Sequence, residues 1–128
     1  MTVPVIPGQL YLIDTSAHAR SDDPSVRNVI AGLVADRVAA TCVTVDLEAG
    51  YSGRDLHDVS AIAERAREVQ VRMAARGHHR AAGVIDLLTA AVAEHHGAVV
   101  LHYDADFEHV AASTGQPHAW VVPRGSID

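Results

Sequence analysis

Hydrophobic and polar positions follow two rhythms along this chain. Over residues 58–76, Ile62, Ala66, Val69 and Met73 recur at spacings of four, three and four, which lays one apolar stripe along a helix. Gly77 marks its end. Ala81, Ile85, Leu88 and Val92 repeat that rhythm and predict a second helix over about 80–96. Short unbroken apolar runs predict buried strands instead: Leu10, Leu12 and Ile13 at about 10–14, a short one at about 39–43, 97-GAVVLHYD-104, and HAWVV at about 118–122. Helices over about 25–36, 44–52 and 105–114 complete the pattern, with Gly53 as a break. Strands separated by helices need crossover connections, so the expected fold is α/β, with a mostly parallel sheet covered by helices on both faces. In such sheets sites lie beyond the carboxyl ends of the strands.

Length and composition narrow the picture. At 128 residues, 48% of them hydrophobic, the chain is expected to form one domain over 1–128 with a real core. The start, MTVPVIPGQL, lacks a basic segment and a long apolar run, and no later stretch approaches the ~20 apolar residues of a membrane span. The expectation is a cytoplasmic protein with no membrane association. Cys42 is the only cysteine, which removes internal disulfides and thiolate zinc sites. All 10 basic residues are arginine, so mechanisms that need a lysine ammonium, such as phosphate-loop binding or Schiff-base chemistry, drop out. A net charge of −6 argues against non-specific coating of nucleic acid, although a local basic patch could still bind it.

The candidate chemistry is acidic. Asp14 directly follows the first apolar run and precedes Thr15 and Ser16, residue types that also cap helices, so both a cap and a ligand role are open. In 101-LHYDADF-107, Asp104 and Asp106 follow the strand VVL; one cap explains one aspartate and not both. Glu48 lies one turn beyond Thr44 in 43-VTVDLEAGY-51, where a surface glutamate is the ordinary reading. Asp86 interrupts the alanine-rich helix 83-GVIDLLTAAVA-93, and Ala82, Gly83, Ala90 and Ala93 at helical spacing are all small. An aspartate there is expected to approach something charged. Carboxylates held together repel unless a cation sits among them, and hard oxygen donors select Mg²⁺ or Mn²⁺ over zinc. Such a set suits hydrolysis of a phosphodiester.

The blocks 11-YLIDTSAH-18, 41-TCVTVDLEAGY-51, 79-HRAAGVIDLLTAA-91 and 101-LHYDADFEHVA-111, followed by 114-TGQPHAWV-121, resemble in order and context the PIN-domain toxins of the VapC type. The resemblance runs over nearly the whole chain. It implies a three-layer α/β/α fold and a Mg²⁺- or Mn²⁺-dependent endoribonuclease, the toxin of a toxin–antitoxin pair. Asp14, Glu48, Asp86 and Asp104 match the family's acidic quartet, Asp106 an additional acid beside it, and Ser16 a supporting hydroxyl. On this reading Asp14, Asp86, Asp104 and Asp106 hold the metal, while Glu48 positions water or accepts a proton. The implied partners are a VapB-type antitoxin covering the acidic site, an RNA substrate, and a second copy in a homodimer.

Positive surface for RNA must be local. Arg65, Arg72 and Arg76 lie on one side of the 58–76 helix, yet the interleaved Glu64 and Glu68 favour a solvated, salt-bridged face. Arg80 is the better RNA candidate, whereas His78 and His79 read as exposed loop. Nine histidines without an HExxH motif give no zinc site. A phosphoacceptor module also gathers aspartates at strand ends, but that family relies on a strand-end lysine, and this chain has none. The alternative that sequence leaves open is a catalytically silent domain of the same fold, binding a metal ion and a protein partner.

Overall fold

The computed structural model describes residues 9–41, 56–77 and 83–127. Among the described residues four short strands, β1 (Tyr11–Ile13), β2 (Ala39–Thr41), β3 (Val99–His102) and β4 (His118–Trp120), form one sheet in the order β2-β1-β3-β4. Every pairing is parallel, with Ile13 opposite both Thr41 and Leu101, and Leu101 opposite Ala119. The helices among the described residues are α1 (Thr15–His18), α2 (Pro24–Ala35), α3 (Leu56–Ala75), α4 (Val84–His95) and α5 (Asp106–Thr114). The strand and helix expected at about 39–43 and 44–52 run beyond Thr41 into positions outside the described residues.

The period-two alternation of the strands separates two cores. Leu12 and Val100 face one side, where Ile62, Val69 and Met73 of α3, Leu87 of α4, and Phe107 and Val110 of α5 pack on them. Tyr11, Ile13, Val99 and Leu101 face the other, against Ala17 of α1 and Val26 and Leu33 of α2. The sheet is therefore the middle of three layers, as expected. The stripe Ile62, Ala66, Val69, Met73 is buried throughout. Arg65, one residue short of it, bridges to its neighbour helix: its guanidinium donates to both carboxylate oxygens of Glu94 in α4, at 2.6 and 3.2 Å, and to Glu68 at 2.9 Å. The salt-bridged reading of that face thus holds for Arg65.

Two helices leave the same way and solve the turn differently. After α4, Gly97 takes φ +66° while Ala98 N–H donates to Ala93 O at 2.8 Å, the six-to-one closure of a left-handed helix cap. After α2, Val38 N–H makes the equivalent bond to Leu33 O at 3.1 Å, but the left-handed position, φ +57°, is held by Arg37. A side chain there costs on the order of 1–2 kcal/mol, partly offset by the extra entropy that glycine loses on folding. Arg37→Gly is therefore expected to raise stability by roughly 0.5–1 kcal/mol. Urea midpoints at constant slope measure it; an unchanged or lower midpoint would show that the arginine offsets its own strain.

Candidate active site

Three of the described elements deliver an acid to the carboxyl edge of the sheet. Asp14 is the first residue past β1, and its main-chain N–H donates to Leu101 O at 2.8 Å, which ties it to β3. It is 3% exposed, and its Oδ2 accepts from Ser16 N–H at 2.9 Å, so it does cap α1. Capping takes one carboxylate oxygen and leaves the other. Ser16 in turn accepts from Tyr103 N–H through its Oγ at 2.9 Å. The turn after β1 and the turn after β3 are thereby pinned together.

Asp104 and Asp106 share the second turn. Asp104 Oδ1 accepts from Asp106 N–H at 2.9 Å, which starts α5 and leaves Asp106 in its first turn, where the helix dipole favours negative charge. Asp86 arrives from α4, which packs on the same face of the sheet as α5. The helix expected from about 80 begins at Val84, so Asp86 lies in the first turn rather than in the interior of an apolar helix. Its Oδ2 accepts from Gly83 N–H at 3.3 Å, an end-of-helix contact that accounts for an aspartate in this otherwise apolar segment.

One carboxylate oxygen from each of Asp86, Asp104 and Asp106 lies within 4.8 Å of the other two. The electrostatics are those of crowded like charges. Burial, then the charges of Asp104, Asp14 and Asp106, push the Asp86 carboxyl above its ordinary range, against the Gly83 N–H. Asp106 is likewise raised, by burial and then by Asp104, with His109 opposing. An all-oxygen set of half-buried carboxylates that disfavours its own full ionisation is the donor chemistry a hard divalent cation relieves. The residues fit Mg²⁺ or Mn²⁺. Asp14 is electrostatically coupled to Asp86 but lies outside the tight trio. Glu48 and Arg80 lie outside the described residues.

Behind the trio sits a group that the motifs did not single out. His102, the last residue of β3, is fully buried, and its imidazole spans from the Asp104 main chain to His118. Burial, with His118 beside it, lowers its pKa from 6.5 to about 3. The available signal was a histidine inside an otherwise apolar strand, two residues before an acid. Tyr103 next to it was missed for the same reason. Its hydroxyl donates to Ile127 O at 2.8 Å and accepts from Gly125 N–H at 2.9 Å, while the Arg20 guanidinium lies 4.7 Å from its ring centre.

The PIN domain family matches residues 11–113 of this chain, a span that includes Asp14, Asp86, Asp104 and Asp106. Ribonuclease VapC51 of Mycobacterium tuberculosis is 43% identical over 135 residues, covering 92% of this chain and 97% of that protein. Ribonuclease VapC21 of the same organism is 39% identical over 133 residues, covering 91% of this chain and 96% of its own length. Ribonuclease VapC18 is 38% identical, with 92% and 99% covered.

Proposed function

From the premise that this chain belongs to the PIN-domain family, and within it to the VapC type of ribonuclease, we propose that it is the toxin of a toxin–antitoxin pair and cuts RNA with the help of a divalent cation. The observation that carries the reading is the convergence of Asp86, Asp104 and Asp106 from separate helix starts on one point at the sheet edge. Asp86, Asp104 and Asp106 would hold Mg²⁺ or Mn²⁺, and Asp14 adds a fourth negative charge to the same edge. Bound there, the cation supplies charge neutralisation and Lewis acidity toward a phosphodiester.

The chain's own residues prepare the site. Ser16 locks the Asp14 turn to the Asp104 turn, so the acids of β1 and β3 keep one relative placement. The start of α5 holds Asp106 against Asp104 through a single N–H bond. Glu48 is assigned the role of proton acceptor or water-positioning group, and Arg80 that of an RNA phosphate contact. A VapB-type antitoxin is the proposed inhibitor, covering the acidic edge, in a complex built on a homodimer in the cytoplasm. Among the described residues no helix is long and apolar enough to cross a membrane.

Purified, antitoxin-free protein incubated with total cellular RNA is expected to produce discrete new 5′ ends with Mg²⁺ or Mn²⁺ and none with EDTA. Folded protein that binds Mn²⁺ yet leaves every RNA intact would replace this reading with that of a silent metal- and partner-binding domain.

A further inference from the structure

We propose that His102 is a positioning residue for the acidic site: its buried imidazole holds the main chain of Asp104 so that Asp104 and Asp106 face Asp86. The inference rests on the cation-dependent reading above. His102 Nδ1 accepts from the Asp104 N–H at 3.1 Å. An imidazole nitrogen that accepts from an amide carries no proton, so the proton is on Nε2, which then donates to Nδ1 of His118 in β4 at 2.8 Å. The tautomer follows from the bond that each ring nitrogen makes. The ring is also enclosed: the Phe107 ring lies 5.0 Å away, the Trp120 ring 5.0 Å and the His118 ring 5.1 Å, centre to centre.

These contacts fall on both ends of the turn that carries the acids. Asp104 is gripped at its main chain and Phe107, directly after Asp106, at its side chain, so one rigid ring sets the path of 104–107. His118 anchors that ring to the neighbouring strand, where β4 pairs with β3. An apolar residue of similar size would fill the space and leave the Asp104 N–H without this acceptor. Outer groups that orient ligands to a metal typically account for ~10–100-fold in metal affinity.

The test uses the whole chain, with Mn²⁺ alone as the probe, followed by isothermal titration calorimetry in the absence of RNA. His102→Asn places an amide oxygen near the Nδ1 position and keeps the acceptor, whereas His102→Leu keeps bulk and removes it. His102→Leu is expected to weaken Mn²⁺ binding by ~10-fold or more, with His102→Asn within a few-fold of the unmodified protein. Equal affinity in the leucine variant, or equal losses in both, would overturn the proposal, the latter by assigning the effect to ring volume. A long-range ¹H–¹⁵N spectrum of the unmodified, metal-free protein needs no variant to fold: a His102 carrying its proton on Nδ1 at neutral pH would refute the arrangement. Unmodified protein that binds no Mn²⁺ would overturn the cation reading itself and this inference with it, a different result from a leucine variant that binds as well as its parent.

Discussion

Asp104→Asn is expected to lower cation-dependent RNA cleavage on the order of 10³-fold with the fold intact. The loss follows from charge: withdrawing one of three converging carboxylates removes several kcal/mol of stabilisation, at about 1.4 kcal/mol per factor of ten. The retained fold follows from geometry. Asparagine keeps an Oδ1 that can accept from Asp106 N–H, the bond that starts α5, and its main-chain N–H can still donate to His102. The same change should raise the melting temperature in EDTA, because the Asp104 charge is among the causes that push the Asp86 carboxyl up. Single-turnover cleavage rates and thermal melts with and without EDTA measure the two effects. Cleavage at the unmodified rate would remove Asp104 from the machinery.

Metal-free protein is expected to lose stability steeply as pH falls below 6.5, and His102 is the reason. Above 6.5 its imidazole is neutral in both the folded and the unfolded chain, so it contributes no pH dependence. Below 6.5 the unfolded chain takes up a proton that the buried ring, with its pKa near 3, refuses, and the native state loses ground until pH 3. Complete titration over that window amounts to about 5 kcal/mol, comparable with the whole stability of a small domain. Asp86 and Asp106 act with the opposite sign. Their pKa values are raised in the native state, so protonation returns stability as pH falls through those raised values. Urea midpoints at pH 7.5 and 5.0 measure the net effect, and a His102 variant separates the histidine's share from that of the aspartates. His102→Asn should flatten the difference by about one proton's worth of slope, and a parent protein equally stable at both pH values would contradict the assignment.

Both effects arise from placements that differ in how far the chain's pattern announces them. Asp14 was legible because an apolar run that ends in a carboxylate puts that carboxylate at a strand end, whatever the strand pairs with. Asp104 and Asp106 were legible for the same reason. The layered arrangement was legible too, since strands alternating with helices need crossover connections that cover both faces of the sheet. Asp86 was legible as an anomaly but not in its setting. Helical periodicity does not mark the first turn, and the start at Val84 makes Asp86 an end-of-helix residue bonded to Gly83 N–H.

Local rules state which face a residue takes and which turn it can close, because the period of a strand or helix is set by its own backbone. The sequence by itself thus determined the α/β class, the buried stripe of α3 and the positions of Asp14, Asp104 and Asp106 just past strands. The tertiary structure alone decided that carboxylates from α4 and from the β3–α5 turn come within 4.8 Å, because that distance depends on how α4 lies on the sheet. It alone decided that Arg65 bonds Glu94, 29 residues away, and that His102 turns its two nitrogens to Asp104 and His118. Contacts of that kind join segments that share no local rhythm. They are set by the packing of one layer against the next, which leaves no period in the chain to read.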